Sequence, residues 1–123
     1  MTDELVVKNL NATGVVPYNT LVGKAIGGLR AEVGITQGNM AAALEIGQSA
    51  YSKLESGQAS MTLVQLRLVA LQLKREPHQI LQEADRLAKE LQSSGVQVPT
   101  RKEDNKAGLM IGLGLLLVLM SKG

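Results

Sequence analysis

Tyr18 and Tyr51 are the only aromatic residues in this chain of 123, which has no Phe and no Trp. With 45% apolar and 20% charged residues the composition is globular, so the core has to be built from Leu, Ile, Val, Met and Ala. An aliphatic, Ala-rich core favours helices over sheets, which draw on aromatic and β-branched side chains. The length fits one domain with short appendages, since a packed core usually takes about 100 to 200 residues.

The same inventory removes most catalytic chemistry. There is no Cys, which excludes disulfides, thiolate metal ligands and thiol nucleophiles together. His78 is the only His and cannot by itself build a multi-histidine metal site or a His-based dyad. Glu83 and Asp85 lie two apart and therefore on different helix faces, which gives paired-carboxylate catalysis no support. No phosphate-cradling glycine loop is present, because Gly112 and Gly114 sit in an apolar tail. The expectation is a protein without catalytic residues, metal or cofactor. Thirteen Lys and Arg against eleven Asp and Glu leave a net charge of +2, which permits a polyanionic partner without demanding one.

Along the chain, residues 1–19 read as an arm. Asp3 and Glu4 precede a brief apolar run at 5–7, which is not a signal peptide, so the expected compartment is the cytoplasm. Asn11, Gly14, Pro17 and Asn19 punctuate this stretch as irregular chain or a short strand. Asn11-Ala12-Thr13 fits the glycosylation pattern, a chance match without a secretion signal.

Residues 20–94 read as one compact unit of five helices. The first covers 21–33, with Val22, Ile26, Leu29 and Val33 on one stripe and Gly34 at its end. Thr36 caps a second over 37–44, and a third runs 48–56 until Gly57. Helices of barely two turns are marginal alone, so Met40, Ala41, Leu44, Ile46, Tyr51 and Leu54 must pack them in place. Thr62 and Gln65 form a capping-box pattern opening the fourth, whose apolar face is Leu63, Leu66, Val69, Ala70 and Leu73. Pro77 opens the fifth, which buries Ile80, Leu81, Ala84, Leu87, Ala88 and Leu91. Residues 95–106 carry mixed charge and read as a polar, solvated linker.

Residues 107–123 form an apolar tail, uncharged from Ala107 through Ser121 and bracketed by Lys106 and Lys122. As a helix, 107–121 spans about 22 Å, short of the roughly 30 Å hydrocarbon core of a bilayer. Three arrangements stay open: a short anchor at the inner face of the cell membrane, pairing with a second copy, or folding back on its own domain. Gly108 and Gly112, four residues apart, would allow the close backbone approach that suits the first two. The lack of a polar stripe argues against the tail lying on one surface, and its short span makes a simple membrane crossing doubtful, so self-association or packing on the domain is placed slightly ahead of membrane insertion.

Two short helices joined by a tight turn, the second held against a small bundle, form the geometry that inserts a helix into a DNA major groove. The third helix opens Gln48-Ser49-Ala50-Tyr51-Ser52-Lys53, short or amide-bearing residues able to approach base edges and phosphates. Thr36-Gln37, Met40-Ala41, Leu44, Ile46, Gln48-Ser49, Ser52-Lys53-Leu54-Glu55 and Gly57 resemble the phage repressor and Cro type of helix-turn-helix, the XRE family. The register runs 22 residues without a gap, and the pattern extends over residues 21–92.

The resemblance implies an all-α, five-helix, lambda-repressor-like domain that binds double-stranded DNA as a dimer on an inverted repeat, most often as a repressor. It implies that Gln37 bonds a phosphate and braces Gln48, and that Gln48 and Ser49 face bases. Ala50 and Ser52 offer small contacts, Lys53 a backbone or base contact, and Ser56 a phosphate contact. Arg30 and Glu55 pair to lock the bundle. Two positions depart from the pattern: Glu45 stands where Gly is common in the turn, and Gly47 where a capping Ser or Thr is common. The rival expectation is a tail-assembled or membrane-tethered interaction protein, antitoxin-like or a scaffold, that keeps the fold with weak DNA specificity.

Overall fold

The computed structural model describes residues 14–99 and 106–122, with side-chain surroundings given from 14 to 99 and from 112 to 121. Among the described residues the protein is all-helical: α1 (Tyr18–Val33), α2 (Gln37–Ala43), α3 (Gln48–Ser56), α4 (Leu63–Leu73), α5 (Pro77–Ser93) and α6 (Lys106–Lys122). The chain divides into a unit of residues 19–84 and a second unit built from its two ends, with boundaries at Tyr18 and Asp85.

In the 19–84 unit, Ile26, Met40, Ala41, Leu44, Tyr51, Leu54, Leu66, Val69, Ala70, Leu73 and Ile80 form one buried cluster. α1 starts directly after Pro17, one turn earlier than the spacing predicts, and buries Leu21, Gly23, Ala25 and Ile26. Its buried face is therefore centred one position away from the Val22, Ile26, Leu29, Val33 stripe. Val22 and Leu29 sit at the margin of the core, and Val33 is 47% exposed, contrary to expectation. Gly23 explains the closeness of α1 to α3: a Cβ there would run into the Leu54 and Glu55 backbone carbonyls.

Thr36 caps α2 by accepting from the Asn39 amide at 3.1 Å. The turn to α3 then passes through Glu45 at φ 58°, so the position where the resemblance expects Gly keeps its left-handed backbone with a Glu. Gly47 caps α3 in extended backbone without any side-chain bond, and Gly57 ends it at φ 82°. Thr62 and Gln65 make the full reciprocal capping box on α4. Leu63, expected on the buried face, is instead 84% exposed, because the side chain of a first helical residue tilts N-terminally, off the end of the packed stripe.

The other unit is more ordered than an arm plus a linker. Val15 and Gln97 form a parallel bridge, with Val16 N donating to Gln97 O at 2.9 Å, Gln97 N to Gly14 O at 2.9 Å and Tyr18 N to Pro99 O at 3.0 Å. Val16 is fully buried and Val96 is 2% exposed. The solvated linker expected from residue 95 is therefore corrected for 95–99; residues 100–105 lie outside the described ones, as do 1–13 with the Asn11-Ala12-Thr13 pattern.

The apolar tail is helical, and Gly112 rests on Val15 and Val16 so closely that a Cβ would collide with both. Leu115 and Leu116 are fully buried, while Leu117 is 59% exposed. The close approach expected of a second helix at Gly112 is thus made by the chain's own extended segment. Gly108 lies in α6, with its surroundings outside the described side chains. No helix among the described residues is long and apolar enough to cross a membrane.

Candidate nucleic-acid interface

The first two turns of α3 carry the exposed polar surface expected of a groove-reading helix. Gln48, Ser49, Ala50 and Lys53 are exposed, and Ser52 and Ser56 are half-buried. Tyr51 and Leu54 point inward, Tyr51 fully buried, so the helix has one packed face and one free face. Gln37, Gln48, Ser49, Ser52, Lys53 and Gln58 line a shallow, open depression of about 500 Å³. Ala50 stands outside this lining, and Ser56 spends its hydroxyl on the Lys53 carbonyl at 3.2 Å.

Sequence reasoning missed Gln58. Left-handed Gly57 turns the chain so that the Gln58 amide N–H returns to the Lys53 carbonyl at 2.9 Å, which holds the residue beside α3. A glycine stop directly followed by an amide side chain was the available signal.

Behind the depression lies one carboxylate that gathers three helices. Glu55 Oε2 accepts from Arg30 Nε at 2.6 Å and from the Tyr51 hydroxyl at 2.5 Å. Its Oε1 accepts from Arg30 Nη2 at 3.2 Å and from Gln37 Nε2 at 3.1 Å. Arg30 Nη1 continues to the Ile35 carbonyl at 2.8 Å, tying in the turn between α1 and α2. Among the described residues no buried side-chain nitrogen or oxygen lacks a partner.

Burial pushes the Glu55 carboxyl upward, but the hydrogen bonds from Arg30, Tyr51 and Gln37 outweigh it and hold the pKa below the usual value. The Tyr51 hydroxyl is pushed well above its usual range by burial first, then by its bond to the carboxylate. At neutral pH Glu55 is therefore ionised and Tyr51 protonated, and the fully hydrogen-bonded cluster reads as a structural lock.

The arrangement offers amide and hydroxyl groups able to donate and accept, plus one exposed cation, which is hydrogen-bonding chemistry. Among the described residues no group of three or more His, Asp or Glu is placed to hold a metal ion. Gln37 lies at the start of α2 as expected, yet its amide nitrogen is committed to Glu55. The Gln48 amide lies over Gly38, where a Cβ would stand 3.4 Å from Gln48 Oε1.

A family model described as helix-turn-helix matches residues 28–80, from the last turns of α1 into the start of α5. Over these residues the chain is similar to helix-turn-helix proteins, and that similarity supports a DNA-binding regulator in general. Neither the curated proteins nor the solved structures contain a match to the chain.

Proposed function

We propose that this protein binds double-stranded DNA sequence-specifically and regulates transcription as a repressor of the phage repressor and Cro type, two copies occupying an inverted repeat from the cytoplasm. The observation that carries the reading is α3. Its N-terminal half is free, amide- and hydroxyl-bearing and adjoined by Gln37, while its inner face is locked to α1 and α2 through Glu55.

In this reading α3 enters the major groove. Gln48 presents the donor and acceptor pair that bidentate contact with adenine needs, and Ser49 and Ala50 lie against neighbouring base edges. Lys53 contacts phosphate, Gln37 does so through the second N–H of the amide whose first is given to Glu55, and Ser56 does so when its hydroxyl turns from the Lys53 carbonyl; these contacts set orientation, and Ser52 fills close space. Two recognition helices one DNA turn apart, about 34 Å, require the operator to share the protein's two-fold symmetry. Repression follows by occupancy, with no chemistry on the DNA.

Selection from a random-sequence duplex library with the full chain tests this. Enrichment of one palindrome is the expected outcome, and recovery of unselected sequence overturns the reading. The rival, an assembly or membrane-associated protein on the same fold, draws its support from α6, uncharged along 107–121 and exposing Leu117. Co-flotation of the full chain with anionic vesicles, without sequence selection, favours that rival.

A further inference from the structure

Apolar side chains cover two opposite sides of α4. Leu66, Val69, Ala70 and Leu73 face the core. Val64, Leu68 and Leu71, spaced by four and then three residues, share the other side, Val64 69% and Leu71 56% exposed with half-buried Leu68 between them. Among the described residues the exposed large apolar side chains are Val33, Leu63, Val64, Leu71 and Leu117, so most of them stand on this one helix. A helix that is apolar all round belongs in an enclosed setting, and a solvent-facing apolar row marks an interaction surface.

Charge then selects what covers the row. From Ser56 to Arg75 the chain holds no acid, while Arg67, Lys74 and Arg75 are all exposed. Arg67 stands beside the middle of the row, one turn from Leu63, Val64 and Leu71, and nothing among the described residues pairs with it. Glu76, the first acid beyond, lies past the left-handed end of the helix at Lys74. We propose that this face of α4 docks an acidic amphipathic helix of a second protein, whose own i, i+4, i+7 apolar row lies along Val64, Leu68 and Leu71 and whose flanking carboxylate pairs with Arg67.

A second copy of α4 does not meet that need. The antiparallel pairing that matches Val64 with Leu71 sets the two Arg67 side chains next to each other, with no acid on either row to separate them. An anionic bilayer would satisfy the cations, but a row about 10 Å long and one side chain wide gives it little to take in. Nucleic acid offers phosphates to the cations and nothing to the aliphatic row. No residue of α4 lines the depression at α3, so the proposal is independent of the DNA reading.

The test uses the full chain with labelled Leu and Val methyl groups, and two designed helical peptides of about 15 residues carrying Leu at i, i+4 and i+7. One peptide flanks that row with Glu, the other with Lys. The Glu peptide is expected to shift the Val64, Leu68 and Leu71 methyl signals saturably and to bind about tenfold more tightly than the Lys peptide. Leu71→Gln, at an exposed position that leaves the core intact, is expected to lose this binding, and Arg67→Glu to reverse the preference toward the Lys peptide. Absence of a saturable shift at these methyls, or equal affinity for the two peptides, overturns the proposal. So does a dimer of the wild-type chain in sedimentation that Leu71→Gln dissociates, which gives the face to a second copy, or flotation with phosphatidylglycerol vesicles that Leu71→Gln abolishes, which gives it to lipid. Selection of duplex DNA is expected to be the same in Leu71→Gln as in the wild type, so failure of this proposal and failure of the DNA reading are told apart.

Discussion

At Glu55 a single carboxylate accepts four hydrogen bonds, and its lowered pKa makes it a source of acid sensitivity. A group whose folded pKa lies below its unfolded value stabilises the fold above the unfolded pKa, here near 4.5, and loses that contribution as pH falls through the folded value. Thermal melts across about pH 3 to 6 are expected to show stability falling on the acid side, with a shallower slope in Glu55→Gln. Glu55→Ala leaves Arg30 without its partner and Tyr51 without its acceptor, and is expected to cost on the order of 3 kcal/mol in chemical denaturation. Gln48→Ala behaves oppositely. It leaves stability alone and is expected to cost about 1 to 3 kcal/mol on the selected operator in a titration, with little change on unrelated duplex. Equal losses on both DNAs would remove Gln48 from base reading. The residue types at these positions are legible in the sequence. Gln37's bond to Glu55 is not, because spacing places two side chains near each other without saying which of their atoms meet.

Helix ends show where local chemistry decides structure unaided. Gly34 and Gly57 both have positive φ, Thr36 and Thr62 both cap, and Pro77 opens α5, all as side-chain and backbone preferences require. Thr62→Ala removes both the acceptor for the Gln65 amide and half of the reciprocal box, and about 1 kcal/mol is the expected loss in a denaturant titration. Glu45 is the reverse case: a side chain at φ 58° carries a steric penalty that Gly lacks. Glu45→Gly is expected to leave stability unchanged or raise it by up to about 1 kcal/mol, the relief of strain set against the greater freedom of an unfolded Gly. A loss of more than that in the same titration would show that the Glu45 side chain contributes to the turn. Helical periodicity is weaker at this scale. It identifies an apolar stripe but not the direction in which neighbouring helices approach, and so Val33 and Leu63 stand exposed on helices whose types, and whose limits apart from the early start of α1, are legible.

In the molecule as a whole, the compact helical cluster follows from contacts close in sequence, whereas the seat of the tail does not. Gly112 meets Val15 and Val16 across most of the chain, and no local pattern announces such a contact. Gly112→Val places side-chain atoms where the Val15 carbonyl stands, so the variant's tail is expected to be cut faster in limited proteolysis. Digestion at the wild-type rate would mean that α6 is held elsewhere. The pairing of residues 14–18 with 95–99 also sets an order in time. During synthesis the first of these segments leaves the ribosome long before its partner exists, while residues 26–80 already contain every member of their own core. The helix-turn-helix half can therefore acquire its structure while the nascent chain still holds Val15 and Val16 bare. Those apolar residues stay open to chaperones, or to a neighbouring nascent chain, until residues 95–99 and α6, translated much later, arrive to cover them.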